Sequence, residues 1–272
     1  MTTGYSLYGL AVRILEMEPI ARDSTRTEAA VSVSLVDKGE DRIRRMFGAI
    51  APTYDLLNHV LSLNIDRWWR WRTTRLAPPT GAGPILDLCT GTGDLAFAYH
   101  RAAKGRVPIV GADFCQEMLD HARKKAERKR LADGIRFIQA DAQRLPFAGD
   151  LFQIVCVAFG LRNVTDTDRG IAEMVRVARP GGKVAILEFS KPRGSVFGKL
   201  YQWYFRYLLP RVGQLISRSR DQAYHYLPQS VQQFPDGEAL AERLRSHGLT
   251  DVKYHPFTFG IATLYVGSKQ IA

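Results

Sequence analysis

A short apolar run that breaks straight into a glycine turn, Ile85-Leu86-Asp87-Leu88-Cys89-Thr90-Gly91-Thr92-Gly93-Asp94, constrains this chain more than any other segment. An apolar run of this length, bounded by turn residues, reads as a strand buried on both faces of a parallel sheet. The Gly-x-Gly step lets backbone approach a ligand lying across the strand's carboxyl end. Glycine also serves ordinary strand-to-helix turns for steric reasons alone. The segment by itself therefore leaves a nucleotide-like ligand and a plain turn both open.

The downstream pattern makes the parallel sheet the expected fold. Strand signals at 85–89, 109–112, 135–139, 152–158 and 183–189 alternate with helical periodicity after Gly93, over 116–131 and over 168–178, with a turn at Pro180-Gly181-Gly182. Such alternation predicts a doubly wound, Rossmann-like α/β sheet with helices on both faces. A helix over 236–247, closed by Gly248, then leads into strands at 252–256 and 262–266, whose short link predicts an antiparallel hairpin at the sheet edge. Ahead of the sheet, aromatic and aliphatic positions recur at helical spacing from Arg42 to about Leu76, broken at Pro52. This predicts a helical cap over 41–83 on a domain spanning 41–272. Residues 1–40 read as an extension of uncertain order.

Composition narrows the function classes. With 46% hydrophobic residues in 272, the chain can bury a large core, and no apolar run reaches the roughly 18–20 residues that cross a bilayer. No secretory signal pattern is visible, so a cytoplasmic location is expected, and Cys89, Cys115 and Cys156, without metal-like spacing, are expected as packed reduced thiols; no metal site is expected. The net charge of +11 is unevenly spread. From Lys191 to Arg220 there are seven basic and no acidic residues among aromatics, within an insertion over 191–235, and Arg67-Trp68-Trp69-Arg70-Trp71-Arg72 forms a second cluster. Basic-aromatic stretches suit nucleic acid or an anionic membrane surface. The run Arg123 to Arg130 is read instead as the solvated end of a helix.

Several residues point to the ligand. Asp113 ends the second strand about twenty residues past the glycine turn, the place from which an acid bonds ribose hydroxyls in doubly wound folds; it also serves as a helix cap. Asp141-Ala142, after the third strand, are placed near the ligand's base. The turn lacks the third small residue of Gly-x-Gly-x-x-Gly, so it is not shaped to seat a pyrophosphate. A phosphate-free ligand, S-adenosylmethionine, fits better, with Asp87 or Asp94 available for its ammonium.

Four blocks then carry a resemblance: Met46 to Asn58, Asp87 to Asp94, Phe159-Gly160-Leu161-Arg162-Asn163-Val164-Thr165-Asp166, and Arg179 to Gly182 with Leu187 to Pro192. Together they resemble the UbiE/MenG family of S-adenosylmethionine-dependent C-methyltransferases of menaquinone and ubiquinone biosynthesis, from about Arg45 to about Lys269. The resemblance implies cofactor contacts at Thr92, Asp113, Asp141 and Ala142, with Asp87, Gly91, Gly93 and Ala158 in the same cofactor set. The chain departs from the family in Cys89-Thr90 for Ala-Gly, Asp141 for Asn, and Ala158 for Ser. The implied substrate is a polyprenylated quinol, demethylmenaquinol first and a ubiquinone precursor as the alternative, with the enzyme peripheral on the inner face of the membrane.

Methylation of a quinol ring carbon needs a proton acceptor or a cation near a ring hydroxyl. The candidates are Asp55 and His59 on the cap, and Arg162 with Asn163 after the fourth strand. Asp55 can equally cap a helix, His59 can be a half-buried surface residue, and Arg162 can pair internally with Asp166. Two rivals remain: a nucleic-acid methyltransferase, which lacks its Asn/Asp-Pro-Pro-aromatic and Pro-Cys signatures here, and a binding module without catalysis. No nucleic-acid partner is expected.

Overall fold

The computed structural model describes residues 39–81, 83–192 and 223–271. Seven strands form one sheet: β1 (Ile85–Leu88), β2 (Ile109–Asp113), β3 (Ile135–Gln139), β4 (Phe152–Ala158), β5 (Ala178–Phe189), β6 (Leu249–Phe257) and β7 (Ala262–Lys269), in the spatial order β3-β2-β1-β4-β5-β7-β6. Strands β1 to β5 run parallel, and β7 alone runs against its neighbours β5 and β6. Every residue of β1, β2 and, up to Val157, β4 is buried, which is why these strands read as unbroken apolar runs.

Strand alternation divides the core in two. Leu86, Leu88, Val155 and Val157 face one layer, and Ile85, Ile154 and Cys156 face the other. The first layer is closed by α6 (Thr167–Val177) and α8 (Glu238–Ser246), the second by α3 (Ile65–Leu76), α4 (Asp94–Ala102) and α5 (Gln116–Arg128). The cap continues with α1 (Glu40–Ile50), a 3₁₀ turn at Ala51–Thr53 where Pro52 breaks the helix, and α2 (Tyr54–Leu61). Helix α7 (Ala223–Gln233) precedes α8, and its Tyr226 packs with Ile43, Met46 and Ile50 of α1.

Two expectations change. The Pro180-Gly181-Gly182 turn lies inside β5, which begins at Ala178: the register jumps from Phe152↔Ala178 to Ile154↔Lys183, so Arg179 to Gly182 bulge out of the ladder with Gly181 at φ 70°. The cap starts one residue earlier than predicted, at Glu40, and its helices stop at Leu76. Within the basic-aromatic insertion, 193–222 fall outside the described residues, as does most of the extension before 39. All three cysteines are free thiols.

Candidate active site

The strand order reverses at β1, flanked by β2 on one side and β4 on the other, and an open α/β sheet leaves a crevice at such a point beyond its carboxyl ends. An open cleft lies there. Its walls come from the ends of four strands (Leu88 and Cys89, Asp113 and Phe114, Ala140 to Gln143, Ala158 to Gly160), from the turn at Gly91, and from Glu40, Ile43, Phe47 and Tyr54 of the cap. The backbone has to turn sharply at these exits. Cys89 and Phe159 both adopt left-handed conformations, with φ 50° and 59°. Gly160 cannot be replaced without displacement, because a Cβ there would lie 2.4 Å from that of Cys89.

Asp113 is the pivot of the cleft. Its two oxygens accept the Gly91 N–H at 2.8 Å and the Cys115 N–H at 2.9 Å, so it tethers the glycine turn while keeping lone pairs in the cleft. Burial lifts its carboxyl to about 6, against the pull of those backbone donors. Asp141, Ala142 and Ala158, expected at the cofactor from the sequence, also stand in the wall. Asp141 accepts the Gln143 N–H at 2.8 Å, and the Gln143 side chain reaches Glu40 on α1 at 3.1 Å, closing that end of the cleft.

Other members of that set sit beneath the cleft. Strand parity turns Asp87 toward α4, where one oxygen accepts the Thr90 hydroxyl at 2.5 Å and the Ala96 N–H at 3.0 Å. It is almost fully buried, and burial raises its carboxyl to about 7 in spite of these bonds. Asp87 therefore holds the turn in shape. Gly93, at φ 86°, ends the turn against Phe97 and Phe137. The Thr92 hydroxyl is spent on the cap, donating to Asp55.

Among the catalytic candidates, Asp55 has both oxygens engaged, one by Thr92 and the other by Lys125 Nζ at 2.7 Å. Lys125 also reaches Asp94 at 2.7 Å, so a residue read as part of a solvated helix face is in fact the rivet between α2, α4 and α5. His59 is not loose on the surface: its Nδ1 lies 3.1 Å from Asp66, which is buried and also accepts from Ser62 and Arg70. Burial alone would raise the Asp66 carboxyl, but Arg70, Ser62 and His59 together hold it below the usual range. This pairing favours the proton on Nδ1 and leaves Nε2 as an acceptor. Asp66 and Lys125 lacked any local motif, and only helical facing in three dimensions reveals them.

Arg162 is buried and ion-paired, but with Glu188 at 2.8 Å on β5 rather than with Asp166, which caps α6 by accepting the Arg169 N–H. It also donates to the Phe159 carbonyl. Among the described residues its Nε has no hydrogen-bond partner, and neither have Asn163 Oδ1 nor Arg70 Nε, although all three atoms are buried. Asn163 and Tyr54 are in the cleft wall, and the positive fields of Arg162 and Arg70 both reach the Tyr54 hydroxyl. Burial, the larger effect, still raises that phenol above its ordinary value. Tyr54 was not singled out from the sequence, although it lies within the first resemblance block.

The charges of the cleft are one-sided. Among the described residues of its wall Glu40, Asp113 and Asp141 are acidic and none is Lys, Arg or His. Carboxylates without a counter-cation repel a pyrophosphate and suit a cationic ligand. The described residues thus fit a sulfonium-bearing nucleoside.

Residues 35–269 match the model of the ubiE/COQ5 methyltransferase family. The chain belongs to that family. A demethylmenaquinone methyltransferase of Deinococcus radiodurans is 46% identical over 234 residues, covering 86% of this chain and 95% of the relative. One from Thermus thermophilus is 46% identical over 82% of this chain and all of its own. A ubiquinone/menaquinone biosynthesis C-methyltransferase UbiE of Geobacter sp. strain M21 is 44% identical over 87% and 99%. Among solved structures, the (4+2)-cyclase SpnF superposes with a TM-score of 0.62 at 16% identity, covering 85% of this chain and 96% of that one. A possible histamine N-methyltransferase of Thermotoga maritima gives 0.57 at 16%, covering 84% and 100%. At that identity the structures speak to the fold alone, and a cyclase among them shows that the fold does not choose the reaction.

Proposed function

We propose that this methyltransferase transfers a methyl group from S-adenosylmethionine to a ring carbon of a polyprenylated demethylquinol, demethylmenaquinol first of all. A ubiquinone precursor is the second reading, favoured by the relatives named for both pathways. The observation that carries the chemistry is the orphaned Oδ1 of Asn163, which lines the cleft with Tyr54, together with the orphaned Nε of the buried Arg162 next to it in sequence, whose field reaches the Tyr54 hydroxyl. Buried polar atoms are costly without partners, so their persistence here suits a polar guest that completes them.

Bound in the cleft, S-adenosylmethionine supplies an electrophilic methyl group. The chain's part is to hold the quinol and favour its phenolate. Arg162 cannot act as a base, since a guanidinium stays protonated, but its fixed charge stabilises a ring oxygen as the proton leaves. The Glu188 pair locks that guanidinium in place. Asp55, already bonded at both oxygens, serves to fix the cap, and His59, paired with Asp66, is likewise not among the residues of the cleft wall.

Among the described residues no helix is long and apolar enough to cross a membrane. A substrate with a polyprenyl tail nevertheless lies in lipid, so the proposal includes work at an anionic membrane surface. Deleting the gene and extracting the quinones tests the function directly. Accumulation of the menaquinone lacking its ring methyl supports the first reading, an accumulated ubiquinone precursor supports the second, and an unchanged quinone profile would refute both.

A further inference from the structure

Helices α2 and α3 carry an outward face that the sheet does not explain. On α2, Leu56 and Val60 stand one turn apart; Leu63 follows in the link to α3, and Trp68 and Trp71 project from α3. These five side chains are between 41% and 79% exposed. The opposite stripe of α3, Asp66, Trp69, Arg70 and Thr73, is buried. Trp68 packs edge-on against Phe257, and the Trp69 indole donates to Thr258 at 2.9 Å, which ties the β6–β7 link to the cap and places the 75% exposed Phe259 beside it.

Charge completes the pattern. Arg72 and Arg75 lie over the rings of Trp68 and Trp71, and Arg67 and Arg75 are exposed. Of the two acids between 54 and 76, Asp66 is buried beneath Arg70, and the half-buried Asp55 is neutralised by its pair with Lys125. An exposed face of tryptophan, aliphatic side chains and arginine without a competing carboxylate matches the interface of an anionic bilayer, where indoles sit at headgroup level and aliphatic groups enter the acyl boundary. Nucleic acid would use the arginines and rings but gives no role to Leu56, Val60 and Leu63.

We infer that the α2–α3 face, with the β6–β7 link beside it, seats this enzyme on an anionic lipid bilayer. Helix α2 then has lipid on one side and the cleft on the other, because its Tyr54 is in the cleft wall while Leu56 and Val60 point outward. A tail can stay in the membrane while its ring enters. Only that last step rests on the quinol reading; the docking does not.

The test is cosedimentation of the full chain, without substrate, with vesicles of phosphatidylcholine containing phosphatidylglycerol. R67Q/R75Q should weaken binding about 25-fold, at roughly fivefold per lost charge, and L56S/V60S/L63S should weaken it at least tenfold. Both variants should keep the wild-type thermal transition, since the altered side chains are exposed. Full binding by either variant, no binding by the wild type, or equal binding to duplex DNA overturns the inference. None of these results bears on which quinone accumulates in the deletion strain, so the two readings fail separately.

Discussion

Replacing Asp113 by Asn separates the structural and ligand-binding roles of one carboxylate. The residue is buried and accepts the Gly91 and Cys115 N–H groups at 2.8 and 2.9 Å. Its pKa is raised from 3.8 to about 6, a shift of about two units, or about 3 kcal/mol against the charged form at neutral pH. The sign follows from proton uptake: between pH 4 and 6 the folded state holds a proton that the unfolded chain has lost. Asp113 therefore lowers stability as pH rises through this window, and the cost is complete above it. Asn removes that cost but presents an NH₂ to one of the two backbone donors, losing about 1–3 kcal/mol, so the two changes largely offset. Folding stability should barely move. Cofactor affinity should behave differently, because an amide has one acceptor where the carboxylate offers two. Losing one charge-assisted bond to a ribose hydroxyl, worth about 1.5–3 kcal/mol, weakens binding roughly ten- to hundredfold. Since ribose donates to the ionised form, wild-type affinity should also fall about tenfold for each pH unit below about 6. Asp113→Asn should show no such slope. Isothermal calorimetry with S-adenosylmethionine from pH 5 to 8 measures both. Near-wild-type affinity in the variant, with a flat wild-type profile, would refute the ribose assignment.

Two further outcomes follow from the buried charges. Arg162→Ala should slow methyl transfer by about two to three orders of magnitude with cofactor affinity nearly intact, and Arg162→Lys should slow it less. The Ala variant also withdraws the guanidinium from buried Glu188, costing about 3–5 kcal/mol of stability, so the Lys variant is the decisive one in single-turnover kinetics, and wild-type turnover there removes Arg162 from the chemistry. Asp87 has its pKa raised to about 7, so its ionisation destabilises the fold as pH rises from about 4 to 7, by about 4 kcal/mol in full. Asp87→Asn keeps an acceptor for Thr90 and Ala96, and urea denaturation should show it losing the decline in stability that the wild type has between pH 6 and 7.5; an unchanged slope would show that Asp87 is not the buried titrating group.

Strands β1, β2 and β4 were legible because, covered on both faces, they have no polar alternation to obscure them, and because each breaks at a glycine or an acid where the cleft opens. The Gly-x-Gly turn, Asp113 and the Asp141-Ala142 pair were visible for the same reason: they lie where short-range sequence meets a fixed place in the topology. What escaped was non-local. Glu188 meets Arg162 across 26 positions of sequence, and Lys125 meets Asp55 across 70. Neither distance leaves a periodic trace, and the basic run around Lys125 looks solvated on any helical wheel. Thr92 shows the converse, a residue at the turn, expected at the cofactor, whose hydroxyl donates to Asp55 of the cap. The β5 bulge was read as a turn because glycine punctuates both in the same way.

The acid-lined cleft also has a bearing on turnover. Methyl transfer converts a sulfonium into a neutral thioether, so a donor held in this cleft would lose its charge attraction to the three carboxylates while any ribose bond to Asp113 would remain. At an effective dielectric of about 20 and a separation of about 8 Å, one carboxylate contributes roughly 2 kcal/mol to that difference. The surface that recruits the methyl donor thus doubles as a means of discharging the spent one, and inhibition by its own product should be milder than a cleft with neutral walls would suffer.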